Sequence, residues 1–546
     1  MKIIFKKSHK TAYETAYTWT VAVLLSACNG GISSGMKNTQ KIGFSADYFP
    51  PTSNYDDPNI LDSNFKILES EFVEPYWVGS LEMDNGALDI NMILTDHDRV
   101  VNFSFPSSDP DYLPVSLRGW APATENMILA SKEIFFLLNS KLNARFIETD
   151  SASGLNNIVI AQSIQVQTSG FSYFPNNFYQ LGSDVFISKD FSNPFKSENG
   201  LTNYDYEVLI HEIGHALGLK HPFEGDRNNH LVLNSYEDQT EFTVMSYNDV
   251  PLTFDGSFRS LDWMTLTKLY GVNPEFNSSD NVYKFHKDQG TFIIDGNGLD
   301  TINMTNSLNN IYIDLRPGMH SYEGKKSSFI TDPYQLTISH GSEVENVETG
   351  HGDDTVIGNH LANIIVSAAG DDKIFAGEGS DIVYPGIGKD TIDLSEDIQA
   401  KDTVIVENTN NDHDLATVYG FVQGIFGDTI DLKDFDFPSL AMLPLVVSTQ
   451  VPFGYIDSCL VRVYGQDLID EDNTESLFVT GGSLENLKLS SEMSGILIFA
   501  NSQDTGEIQN VYAVENRLGT VEVHHIVRLE GNYLDIDNWT LDNFLV

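Results

Sequence analysis

From Gly350 the chain repeats in nines: GHGDDTVIG, NHLANIIVS, AAGDDKIFA, GEGSDIVYP and GIGKDTIDL. The fifth position reads Asp354, Asn363, Asp372, Asp381 and Asp390, and the seventh Val356, Ile365, Ile374, Val383 and Ile392. Five units in phase do not arise from generic loops. A unit this short cannot bury its apolar position alone, so the copies must stack, which imposes a repetitive β architecture on this part of the chain. DGNGLDTI (295–302) repeats the pattern once upstream and reads equally as a separate calcium loop or as a β-turn.

The second constraint is HEIGHALGLKHP (211–222). YDYEVLIHEIGHALGL (204–219) has helical apolar spacing, with Val208, Leu209, Ala216 and Leu217 able to bury and Asn203 or Asp205 able to cap the start. His211 and His215 are one turn apart on one face, so both imidazoles can reach one ion. Glu212 lies beside them, placed to take a proton from water. Gly218 lets the chain leave the helix sharply and bring His221 back as a third ligand. An isolated His-x-x-x-His reads equally as surface or core; the full H-E-x-x-H-x-x-G-x-x-H is far more restrictive. Downstream, in Thr243-Val244-Met245-Ser246-Tyr247, Met245 is expected in the core beneath the histidines.

At 546 residues the chain exceeds one compact core, and two to four domains are expected. A formal net charge of -47 argues against nucleic acid as a partner. The same acidity reads as a solubilising surface or as a store of calcium ligands. Cys28 and Cys459 are the two cysteines, too few for a disulfide framework, and Cys459 reads as a buried thiol in a strand. Lys2, Lys6, Lys7 and Lys10 precede an apolar segment (16–25) too short to span a bilayer as a helix, so residues 1–27 read as an export signal. Residues 28–75, rich in Gly, Ser, Asn, Asp and Pro, read as a tether or pro-segment. Strands VVNFSF (100–105), NNIVIAQ (156–162) and SDVFIS (183–188), with a helix at 123–142, predict an α+β domain over 76–272. A β region follows over 273–395, with the repeat at 350–394, and a β-rich region over 396–546. His524 and His525 lack partners at metal-ligand spacing.

Leu25-Ser26-Ala27-Cys28 resembles the bacterial lipobox, which implies lipidation of Cys28, a new N-terminus there, and anchoring at the outer membrane. HEIGHALGLKHP and VMSY, with GFSYFP (170–175), SDVFIS and LDWMTLTKLYGVNP (261–274), resemble the metzincins and within them the serralysin family of zinc metalloproteases. The resemblance implies a zincin-like α+β catalytic domain, zinc on His211, His215 and His221, and Glu212 as general base. It also implies Tyr247 as a tyrosine that ligates zinc at rest and swings to stabilise the oxyanion, and Met245 as the methionine turn. The implied reaction is endopeptide hydrolysis of protein or peptide substrates by an exported monomer, cell-surface or secreted. The peptide would lie extended along an edge strand, taken here as SDVFIS.

The repeat resembles the RTX nonapeptide, which builds a parallel β-roll and binds Ca²⁺ between stacked turns. That implies calcium at Asp354, Asn363, Asp372, Asp381 and Asp390. Two units complete one coil, so Asp354, Asp372 and Asp390 share one side and Asn363 and Asp381 the other. Leu361 in place of glycine and Asn363 in place of aspartate predict weaker calcium sites on that second side. YGFVQGIFGDTIDLKDF (419–435) resembles the strands after the roll in serralysins, and LDNFLV their terminal secretion signal. The lipobox and that signal are competing addresses, and the N-terminal one, with three consistent parts, carries more weight. Residues 29–210 hold no cysteine, so a thiol switch on zinc requires an unlipidated Cys28. The rival reading is a surface adhesin or scaffold with an inert catalytic domain; the presence of both Glu212 and Tyr247 speaks against it.

Overall fold

The computed structural model describes residues 75–432 apart from breaks at 85–93, 95–97, 115–116, 156, 166–167, 177–178, 190–202, 227, 249–255 and 407–414. It also describes the strand Leu25–Ala27, strands between 445 and 530, and the stretch 539–545. Cys28, Cys459, and the signal and tether readings apart from Leu25–Ala27 lie outside the described residues.

In the first half, helix α1 (Tyr76–Gly79) precedes β2 (Val100–Ser104), β3 (Ala121–Pro122), helix α2 (Glu125–Lys141), β4 (Arg145–Glu148), β5 (Asn157–Ser163), β6 (Gly170–Tyr173) and β7 (Val185–Ser188). Helices α3 (Asn203–Ala216) and α4 (Ser260–Tyr270) close it. With Leu25–Ala27 counted as β1, the sheet runs β1-β6-β7-β5-β2-β4, with β3 on β5. The pairs β4/β2, β2/β5 and β5/β7 are parallel, while β7/β6 and β6/β1 are antiparallel.

Helix α2 starts at Thr124, whose hydroxyl accepts the Met127 N–H, and buries Met127, Ile134, Phe135 and Leu138. Phe135 stacks on Phe103 of β2 with centroids 4.1 Å apart. Leu209, Ile210 and Ile213 of α3 join the same core, so the helix that carries the histidines is fixed by its apolar face. SDVFIS is not an edge strand: β7 is flanked by β5 and β6, and beyond GFSY at β6 the outer position is held by Leu25–Ala27.

In the second half the nine-residue frame becomes alternating rungs of two parallel sheets. Val356, Ile374, Ile392 and Val418 stack in register in one sheet. Ile365, Val383, Val404 and Ile430 stack in the other. All eight are at most 1% exposed and form the coil's axis. The predicted two-sided arrangement is therefore present, but the coil is longer than the frame at 350–394. Parallel pairing begins at Val282–Tyr283 and runs through Thr429–Asp431 to Phe544–Leu545. Phe544–Leu545 within the ending LDNFLV is thus a rung of the coil. No helix among the described residues is long and apolar enough to cross a membrane.

Candidate metal centres

Helix α3 brings His211 and His215 to one side, and the chain turns at Gly218, whose φ of +103° favours glycine, to return His221. The His215 Nε2 lies 3.1 Å from the Nε2 of both His211 and His221. One ligand atom from each of the three buried rings lies within 4.8 Å of the others. His211 Nδ1 meets the Val244 carbonyl at 2.6 Å and His215 Nδ1 the Leu219 carbonyl at 2.7 Å. A carbonyl only accepts, so both Nδ1 atoms carry the hydrogen and both Nε2 atoms present lone pairs. His221 Nδ1 faces the Glu224 carboxylate at 3.1 Å, which gives the third ring the same orientation. Burial keeps His211 neutral, pulled down to about 3, and draws His215 well below its ordinary value. Lone pairs converging at this spacing repel unless a cation lies between them. The donor set therefore fits tetrahedral zinc, which takes neutral imidazole at about 2.0–2.1 Å.

Glu212, fully buried, is reached from the sheet: the Ser172 hydroxyl on β6 lies 2.7 Å from the Glu212 carbonyl and 2.8 Å from Glu212 Oε2, sharing its one hydrogen between them. The Tyr247 hydroxyl is 2.7 Å from His221 Nε2. Met245 lies under the cluster, fully buried. A Cβ at Gly214 would come within 2.7 Å of its sulfur, so the helix needs glycine there. Asp262 in α4 accepts from Thr243 Oγ1 at 2.6 Å and the Val244 N–H at 2.9 Å, fixing the carbonyl that orients His211. Burial pushes Asp262 up to about 6. Lys220, 1% exposed, donates to the carbonyls of Ser80, Glu224 and Leu231 at 2.6, 2.9 and 2.7 Å. Ser172, Asp262 and Lys220 lie within the stretches GFSYFP, LDWMTLTKLYGVNP and HEIGHALGLKHP, but their roles were missed because their partners are brought to them only by the fold.

In the coil, each frame aspartate bridges rungs. Asp354 N–H donates to Asp372 Oδ1 at 2.8 Å, and Asp372 N–H to Asp390 Oδ1 at 3.0 Å. On the other side Asn363 N–H donates to Asp381 Oδ1 at 2.7 Å, Asp381 N–H to Asp402 Oδ1 at 2.9 Å, and Asp402 N–H to Asp428 Oδ1 at 3.0 Å. The second carboxylate oxygens of Asp354, Asp372, Asp381 and Asp402 are buried without a hydrogen-bond partner. Unsatisfied buried carboxylate oxygens are costly, and a hard cation with oxygen ligands accounts for them. Burial first, and neighbouring acids after it, push Asp372 and Asp402 up to about 8.

Asn363 differs. Its Nδ2 donates to the Glu345 carbonyl at 2.8 Å and its Oδ1 accepts the Asn359 N–H at 2.9 Å, so both ends of the amide have protein partners. DGNGLDTI is part of the coil: Thr301–Asn303 pairs in parallel with Asn346–Glu348. Asp295 Oδ1 and Asp300 Oδ2 there are also buried without a hydrogen-bond partner. Asp402 and Asp428 were missed because loops 395–401 and 420–427 break the frame. The triplet Asp-Thr-Val/Ile, which recurs at 300, 354, 390, 402 and 428, would have found them.

Three convergent imidazoles, two on a helix and one on the turn after it, are followed by a coil of stacked acidic turns, and each arrangement fits a metal. The family of the RTX calcium-binding nonapeptide repeat (4 copies) matches residues 361–392. Serralysin of Photorhabdus laumondii is 27% identical over 302 residues, covering 48% of this chain and 60% of its own length. Serralysin C of Dickeya chrysanthemi is 31% identical over 218 residues, 35% of this chain and 43% of its own. Serralysin of Proteus mirabilis is 31% identical over 225 residues, 36% and 44%. The chain thus spans about half the length of the curated relatives it matches. It is serralysin-like, a homologue of that metalloprotease group with RTX calcium-binding repeats. Zinc, the metal of serralysin-type metalloproteases, and calcium, bound by the RTX motif, are its cofactors.

Proposed function

We propose that the chain is a zinc endopeptidase with a metzincin catalytic domain over 76–272 and a calcium-built coil behind it. The observation that carries this reading is the convergence of three buried imidazoles beside a buried glutamate. His211, His215 and His221 would hold the zinc, which when bound supplies a Lewis acid that polarises a carbonyl and lowers the pKa of water. Glu212, positioned by Ser172, takes the proton of the attacking water and passes it to the leaving amine. The Tyr247 hydroxyl, on the open side of His221, donates to the oxyanion as it develops. The edge of β6 on which Leu25–Ala27 pairs antiparallel is the one that would hydrogen-bond the peptide backbone, since it accepts an extended segment. The test is casein hydrolysis by the full chain before and after zinc chelation. Loss on chelation and return on adding zinc support the reading, and hydrolysis indifferent to zinc opposes it.

Calcium would sit between turns of the coil on Asp354, Asp372 and Asp390 along one side and on Asp381 and Asp402 along the other, with Asp295 and Asp300 forming a further acidic loop. Asn363, its amide committed to protein partners, contributes least. Export, and a lipid anchor on Cys28 at the cell surface, belong to the same proposal and rest on the sequence from Lys2 to Cys28. The Cys28→Ala chain, expected in the soluble rather than the membrane fraction, tests the anchor.

A further inference from the structure

Phe223 stands two residues past His221 and is 41% exposed, a large apolar side chain left in the open. Its ring lies parallel to the His221 imidazole, 5.1 Å away at 6°, and meets the Tyr247 ring at 5.2 Å. The Tyr247 hydroxyl is 2.7 Å from His221 Nε2, the atom that faces the metal position, so Phe223 borders the reacting centre itself.

Loop tips often expose an apolar residue because they are loose, but this turn is fixed. The buried Lys220 ammonium spends its three hydrogens on Glu224, on Leu231 and on Ser80. That ties both arms of the loop to the segment behind α1. Leu233 N–H closes the turn on the Pro222 carbonyl at 2.8 Å, and Glu224 N–H on the His221 carbonyl at 3.2 Å. A half-exposed aromatic ring on a fixed turn is preorganised apolar surface, which binds without first paying for order. Backbone pairing on β6 is blind to side chains, so selection near the scissile bond needs such a surface.

We infer that Phe223 is a specificity-determining residue, its ring forming an apolar wall beside Tyr247 against which an aromatic or large aliphatic substrate side chain next to the scissile bond packs. This rests on the peptidase reading above. The test uses the zinc-loaded full chain, with Phe223→Ala and Phe223→Trp beside it. Calorimetry compares phenylalanine hydroxamate with glycine hydroxamate, and mass spectrometry maps the cuts in casein. The wild-type chain is expected to favour the phenylalanine compound by about three- to tenfold, the scale of one aromatic pair. Phe223→Ala should lose that preference and the enrichment of large apolar residues at the cut, through a higher KM with kcat little changed. Phe223→Trp should keep both. An equal preference in wild type and Phe223→Ala overturns the inference. A preference that depends on Phe223 in a chain that cuts no casein would instead uphold the wall and overturn the peptidase reading.

Discussion

The Ser172 hydroxyl on β6 shares its hydrogen between the carbonyl of Glu212 on α3 at 2.7 Å and that residue's Oε2 at 2.8 Å, tying the strand where a peptide would lie to the carboxylate that would move its protons. A buried hydrogen bond to a carboxylate contributes roughly 1.5–3 kcal/mol. Ser172→Ala is therefore expected to lower kcat about tenfold or more with KM little changed. Steady-state kinetics on casein peptides at matched zinc content check this.

Gly214→Ala should destabilise the catalytic half, although the same change inside an ordinary helix stabilises it by roughly 1 kcal/mol. The added Cβ would lie 2.7 Å from the sulfur of the fully buried Met245, so that side chain has to shift within a packed core. The expected cost is about 1–3 kcal/mol by urea unfolding. Adding Met245→Ala should recover part of it.

His320 is buried between sheet and α1: its Nε2 lies 3.1 Å from Gln335 Oε1, its Nδ1 2.8 Å from Thr337 Oγ1, and Trp77 packs edge-on. Burial pulls it from the ordinary 6.5 down to about 3. The unfolded chain thus takes up a proton below 6.5 that the folded chain refuses. Its contribution is present above pH 6.5 and is lost as pH falls toward 3, by on the order of 4 kcal/mol. With calcium saturating, His320→Gln should flatten the fall in unfolding free energy between pH 6.5 and 4 relative to wild type.

Without calcium the coil should behave as an acid-stabilised structure. Asp354, Asp381, Asp372 and Asp402 are raised from 3.8 to about 6, 7, 8 and 8, so folding favours their protonated forms. That support is full below 3.8 and is lost as pH rises through 6 to 8. In chelator the thermal midpoint of the β half should be higher at pH 5 than at pH 7.5. At pH 7.5 calcium should raise it by about 10 °C or more and release protons. An unchanged midpoint on removing calcium at fixed zinc would oppose the coil's metal sites.

The sequence made the local features legible and left strand order hidden. Helical spacing located Glu125–Lys141 and Asn203–Ala216, and the period of nine placed Val356 above Ile374 and Ile365 above Val383. SDVFIS reads as an edge strand only while its neighbours are unknown, because an apolar run does not say which strands flank it. The coil outran its frame because a fixed period is blind to insertions such as 395–401. The roles of Ser172 and Lys220 were invisible for a related reason, since nothing near them in sequence hints at the Glu212 carboxylate or the three carbonyls they meet.

The most direct measurement is casein hydrolysis by the full chain in zinc and calcium, with Glu212→Ala beside it at equal zinc content. The account predicts that the wild-type chain cuts casein and that the variant, still holding zinc on three histidines, has lost nearly all of that activity. Equal hydrolysis by both proteins would contradict it, because the buried carboxylate beside the histidines would then have no part in the chemistry.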